Sequence, residues 1–306
     1  MKTKKTIGID KTLLIIVLSI IGTCSFWLWY NPLSTDRSID YEAFGTYGDF
    51  YGGVIGTIIA AFGAILIYNT YITQTEYQKK DQIESRFFEL IKLHEKNVDE
   101  LLLKDRNIFS IYLKNIKNFI VIISEFNESK KKNWNRETLV KLGYLCFYYG
   151  IYNNKNKYIT ETTETKKDFE NISEYMIDRG IEYNGVYADF GKYFRQLFQI
   201  VTYINNKELD YKEKYEYIKA LRVRLNIEEQ YLLILNSLIS IGSEWENENN
   251  DINEQLITKY NLIKNIPKEY NIIGDFNYRE KYPNVHYEDF GNKKSNERIE
   301  LENSYL

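Results

Sequence analysis

Two long stretches without a charged side chain, Thr12 to Asn31 and Phe50 to Thr75, constrain what this 306-residue chain can fold into. The core of the first, Leu13 to Ile21, is almost wholly aliphatic. Twenty residues at a rise of about 1.5 Å span about 30 Å, the thickness of bilayer hydrocarbon. The run ends in Phe26-Trp27-Leu28-Trp29-Tyr30, an aromatic cluster of interfacial type, and no small-residue cleavage site follows, so it reads as an anchor rather than a removed signal. In the second stretch Val54, Ile55, Ile58, Ile59, Phe62, Ile65, Leu66 and Ile67 supply enough apolar surface to span. Gly48, Gly52, Gly56, Ala60 and Ala64 recur at every fourth position, so one helical face carries a strip of minimal side chains against which another helix can pack closely.

Flanking charge predicts the orientation. Lys2, Lys4, Lys5 and Lys11 precede the first run, and Lys79, Lys80 and Arg86 follow the second. Between the runs Arg37 stands against Asp36, Asp40, Glu42 and Asp49. Basic flanks stay on the cytoplasmic side, which places both termini inside and a short acidic loop, from about Pro32 to Gly48, outside. Asp49 then falls at the start of the second span, where a carboxylate can cap free N–H groups.

Beyond the spans the periodicity is helical. Ile83, Phe87, Leu90, Ile91, His94, Val98, Leu101 and Leu102 form an apolar stripe that extends the second run as a long rod. Further helices are predicted over Ile108 to Phe126, Leu139 to Tyr152, Tyr187 to Asn205 and Tyr211 to Ile241, whereas Asn153 to Asp168 is polar and reads as a loop or hinge. Alternating period-two runs are nearly absent. The fold class is therefore all-α: an N-terminal two-helix transmembrane hairpin followed by a cytoplasmic helical bundle. Residues 1–75 form the hairpin, 76–241 the cytoplasmic helical domain with a polar loop near 153–168, and 242–306 a polar C-terminal extension with short helices.

Motifs of known chemistry are scarce. Forty basic residues against 43 acidic ones leave a net charge of −3, so no global field recruits nucleic acid and none is expected as a partner. Cys24, Cys146, His94 and His286 make neither a disulfide framework nor a zinc site, and there is no Gly-Lys-Ser/Thr phosphate loop, so neither metal nor cofactor is expected. Gly274-Asp275-Phe276-Asn277 occurs in metal-dependent phosphodiesterases, but the surrounding carboxylates and histidine pair of those enzymes are missing. His94 lies on an apolar stripe and reads first as a core or interface residue. Arg195, in Gly191-Lys192-Tyr193-Phe194-Arg195-Gln196-Leu197-Phe198-Gln199, can pair with a carboxylate such as Glu228, Glu229 or Asp189, stack on Tyr193, or grip a phosphate. His94, Arg195 and Glu229 are the candidates for any catalytic role, without an assigned step.

The ordered set Phe44-Gly45-Thr46-Tyr47-Gly48-Asp49-Phe50-Tyr51-Gly52-Gly53, Gln74, Phe87 to His94, Gly191 to Ile200 and Leu225 to Ser237 resembles the phage abortive infection protein family of AbiC type. The resemblance covers roughly residues 40 to 240. It implies a bacterial membrane protein that halts growth or kills the cell once a phage replicates; with the two apolar runs and their flanking charge, the expected localisation is the inner membrane, multi-pass with both termini cytoplasmic. Gly48, Asp49, Gly52, Gly53, His94, Tyr193, Phe194, Arg195, Glu229 and Asn236 match its pattern, and none inherits a chemical role. The expected action is that of a membrane-anchored effector or sensor working through helix association and protein contacts, with the lipid bilayer, further copies of the chain, and a phage or host protein trigger as partners. The alternative is a membrane-tethered toxin that degrades RNA or nucleotides.

Overall fold

A computed structural model describes residues 41–152, 159, 161–246 and 255–305, together with Ser19, Gly22 and Phe26. The chain divides into two compact units, Met1–Glu84 and Ser85–Leu306. Among the described residues there is no strand, and one isolated bridge, Glu246 to Gln255, is the nearest approach to a sheet.

In the first unit, α1 (Tyr41–Phe50) passes through a π-helical turn (Tyr51–Ile55) into α2 (Gly56–Leu102), whose remaining residues belong to the second unit. The threonines along this run satisfy their own hydroxyls. Thr70, Thr73 and Thr75 donate to the carbonyls of Leu66, Asn69 and Tyr71 at 2.8, 2.9 and 2.8 Å. An apolar surrounding therefore strands no hydroxyl among them.

The two-helix hairpin is overturned by this arrangement. Among the described residues one helical stretch, Gly52–Leu102, is long and apolar enough to cross a membrane, and none of its most apolar window is buried. Two packed arms would cover the small-residue strip, yet a Cβ built at Gly48, Gly52 or Gly56 meets nothing within 4 Å. The expected outer loop is revised too, because the chain is already helical from Tyr41. Apart from Ser19, Gly22 and Phe26, the first apolar run lies outside the described residues. The multi-pass localisation with both termini cytoplasmic therefore gives way to a single candidate span. Asp49 lies inside the helical run rather than at its start, so it caps no free N–H group.

The second unit is a helical bundle. It holds α3 (Ile108–Lys130), α4 (Arg136–Tyr149), α5 (Thr163–Ile177), α6 (Tyr187–Asn205), α7 (Tyr211–Arg222) and α8 (Ile227–Ser237). A 3-10 turn (Ser240–Trp245) and the short α9 (Leu256–Tyr260), α10 (Tyr278–Lys281) and α11 (Asn296–Ser304) complete it. Helices α3 and α4 pack along one another, and α8 lies against both. Every residue from Leu142 to Tyr149 is buried, as is every residue from Glu229 to Asn236. Helices buried on all sides are the central ones of a bundle, and α4 and α8 take that place, the buried Glu229 and Asn236 of α8 each meeting a hydrogen-bond partner. Five of the eight stripe residues on α2 are buried, Phe87, Leu90, Ile91, His94 and Leu101, while Ile83, Val98 and Leu102 are half-buried; the Phe87 ring lies 5.1 Å from that of Tyr217, and Glu95 pairs with Arg224 at 2.9 Å.

Two regions differ from the sequence reading. The polar Thr-Glu-rich segment becomes the first turn of α5. Thr162 caps it by accepting from the Thr165 N–H at 3.3 Å, and Phe169, Ile172 and Met176 bury the inner face beyond. Residues 153–158 and 160 lie outside the described residues. The C-terminal region is part of the core: Leu256, Ile257, Tyr260, Ile263, Tyr282 and Tyr287 are all nearly inaccessible. Arg298, 1 % exposed, donates to the carbonyls of Thr258, Asn284 and Lys259 at 2.7, 3.1 and 3.2 Å and to Glu302 at 3.0 Å.

Candidate functional site

The motif residues of α6 face two ways. Tyr193 points inward, where its hydroxyl donates to Glu229 Oε1 at 3.0 Å and its ring lies 4.8 Å from that of His94. Glu229 is the third residue of α8 and forms a capping box with Asn226. The Asn226 side chain accepts from the Glu229 N–H at 2.7 Å, and Glu229 Oε2 accepts from the Asn226 N–H at 2.8 Å. Both carboxylate oxygens are thus engaged in holding α8 to its own start and to α6. Burial pushes the Glu229 carboxyl above the usual range, against the bonds from Asn226 and Tyr193 that favour its charged form.

His94 completes this buried cluster in an unusual condition. It is 4 % exposed, and among the described residues neither ring nitrogen has a hydrogen-bond partner. Burial lowers its pKa from 6.5 to about 4, so the ring is neutral at pH 7 and poorly disposed to take a proton. The depressed value makes the unfolded chain the better proton binder between pH 6.5 and about 4, so stability declines as pH falls through that window and is level above it. Each pKa unit corresponds to about 1.4 kcal/mol, giving a loss of up to about 3 kcal/mol. Urea unfolding at a series of pH values should show this slope in the native chain and a flatter one in His94→Leu; equal slopes would contradict it.

The other side of α6 opens a cleft of 140 Å³ lined by Tyr148, Gly191, Phe194, Arg195, Phe198, Asn236, Ile241, Glu244 and Trp245. Tyr148 comes from α4 and Asn236 from α8, while Trp245 ends the 3-10 turn. The Asn236 amide donates to the Tyr144 hydroxyl at 3.2 Å, and the Phe198 and Trp245 rings meet edge to face at 4.9 Å. Gly191 opens the floor: a Cβ there would sit 3.0 Å from the Tyr148 hydroxyl and 3.2 Å from an Arg195 guanidinium nitrogen. Tyr148 itself is positioned by a backbone crossing, in which the Val186 N–H donates to the Tyr148 carbonyl at 3.0 Å and the Ile151 N–H to the Tyr183 carbonyl at 3.1 Å.

Among the three catalytic candidates, His94 and Glu229 are linked through Tyr193, and Arg195 stands apart in the cleft. Asp189 pairs with Lys104, and Ser110 donates to Glu228 at 3.4 Å; among the described residues neither acid forms an ion pair with Arg195. Of the small-residue strip, Gly48, Gly52, Gly56, Ala60 and Ala64 are exposed, and Gly53 beside them likewise. In Gly274-Asp275-Phe276-Asn277, Asn277 caps α10 through the Arg279 N–H and Phe276 is buried, which gives the tetrapeptide structural duties. Among the described residues no group of three or more His, Cys, Asp or Glu side chains could hold a metal ion. Sequence reading missed Tyr148 and Trp245. A run of six residues with four aromatics, Tyr144 to Tyr149, and a lone tryptophan in a polar stretch were the available signals.

A family model described as "Putative phage abortive infection protein" matches residues 186–271. No curated protein and no solved structure matches the chain. The matched segment is less than a third of the chain, and it contains α6, α7, α8, the 3-10 turn and α9. Apart from Tyr148, every residue of the cleft falls within it, as do Tyr193 and Glu229. The Gly48 to Gly53 and Phe87 to His94 parts of the resemblance lie outside the match.

Proposed function

We propose that this chain is a phage-defence protein of the abortive infection type and that it acts through helix-mediated protein contacts rather than through catalysis. The observation that carries this reading is the family match over residues 186–271, the segment that supplies both the Tyr193–Glu229 link and the walls of the cleft. The non-catalytic half is supported by the state of the candidates. Glu229 has both oxygens committed to capping and to Tyr193, and His94 is neutral and enclosed against an aromatic ring. A general base must reach the proton it removes, and neither group meets that condition in this arrangement.

The contact surface in this reading is the exposed strip that runs from the π-helical turn into α2, where Gly52, Gly56, Ala60 and Ala64 permit close approach by the same segment of another copy. A phage or host protein acts as the trigger. Bacteria carrying the gene should form fewer phage plaques than bacteria without it. Protection should survive His94→Gln and be lost in Gly52→Leu/Gly56→Leu at unchanged protein abundance. Rapid RNA decay after infection that depends on His94 would instead support the degrading toxin.

A further inference from the structure

We infer that the cleft between α4, α6, α8 and the 3-10 turn is a binding site for a small, ring-bearing carboxylate, held by Arg195 and Tyr148. This goes beyond the defence reading and does not depend on it. Two polar groups on the cleft, the guanidinium of the exposed Arg195 and the hydroxyl of Tyr148, make no hydrogen bond or ion pair with other described residues. They converge over Gly191, whose missing side chain leaves the space in front of both. Burial raises the Tyr148 phenol, the Arg195 charge opposing only in part, so the hydroxyl stays a donor.

A guanidinium offers parallel N–H groups in a planar fork, which fits a carboxylate, and the phenol supplies a further donor to the same anion. Glu244 is the acid on the lining, and among the described residues no ion pair joins it to Arg195. Its charge tells against a dianion and favours a ligand with a single negative charge. Asn236, whose amide nitrogen donates to the Tyr144 hydroxyl, adds a polar wall, and Phe194, Phe198, Ile241 and Trp245 supply the apolar part of the lining. The 140 Å³ of space is close to the roughly 150 Å³ known to accept one benzene ring. Carboxylate at the Arg195 end and ring against the aromatic end is the pose that matches charge, donors and volume together.

The test is a titration of the full chain in mild detergent with benzoate, followed by calorimetry and by ligand-observed magnetic resonance. Benzoate should bind saturably. Benzamide, with the same shape and no charge, and acetate, with the charge and no ring, should each bind about tenfold more weakly or worse. Arg195→Gln should reduce benzoate affinity about tenfold and abolish the preference over benzamide, and Tyr148→Phe should reduce it less, both with unchanged thermal unfolding. Benzamide binding as tightly as benzoate, an unaltered affinity in a folded Arg195→Gln chain, or no benzoate saturation would each overturn the assignment. Plaque protection is scored separately, so loss of one result leaves the other standing.

Discussion

Gly185→Ala is expected to destabilise the second unit by about 4 kcal/mol, read as a lower midpoint in urea unfolding. Two physical costs meet at this residue. Its φ of +75° is a conformation that a Cβ disfavours, and the Cβ itself would lie 2.4 Å from the Gly150 nitrogen and the Tyr149 carbonyl carbon and 2.7 Å from the Tyr148 carbonyl oxygen. All three are backbone atoms, so no rotamer change relieves the clash, and the crossing that joins the end of α4 to the start of α6 must separate. Because that crossing positions Tyr148, the variant should also lose benzoate binding even where it is still folded. A midpoint unchanged from the native chain would show that the crossing tolerates a side chain and that the close approach is not required.

Arg298→Ala is expected to cost a similar amount, about 4 kcal/mol, although it lies in a helix that looks unremarkable in sequence. The buried guanidinium bonds three backbone carbonyls, those of Thr258, Lys259 and Asn284, and the Glu302 carboxylate. Truncation removes a donor from each of these acceptors, Lys259 keeping the Tyr211 hydroxyl and Glu302 keeping Lys294, and opens a cavity beneath α11. Arg298→Met restores volume without the donors and should recover only the packing part. Hydrogen exchange gives the local readout: amides of α9 and α11 should lose protection together. If only α11 responded, Arg298 would be a clasp for one helix rather than a tie across the C-terminal region.

Much of the bundle was legible because burial imposes a period. The spacing of Phe87, Leu90, Ile91, His94 and Leu101 places these residues on one helical face, and that face is the buried one. The same reasoning locates α3 and α6. It fails where a helix is surrounded: α4 is buried all round from Leu142 to Tyr149, so it has no polar face to mark its position at the centre. It fails again after residue 242, where short segments bury isolated side chains such as Trp245, Tyr260 and Tyr287 without repeating at any period. The hairpin failed for a different reason. Apolar length shows that a segment is able to cross a bilayer, but whether it packs against another segment depends on contacts, and the strip on α2 has none among the described residues.

The candidate site divides along the same line. Arg195, Tyr193, Glu229 and Asn236 stood out by type and by motif, yet their spacing could not show that Tyr193 turns inward to Glu229 while Arg195 opens onto a cleft. From the sequence alone came the helical class, the long apolar helix and the buried stripe beyond it, because each is a local consequence of side-chain polarity repeating along a helix. Tertiary structure alone decided that His94 is stranded without a partner, that Tyr148 and Trp245 join Arg195, and that Arg298 binds the C-terminal region into the core. These depend on groups that are tens of residues apart in the chain, whose meeting is set by how the helices pack.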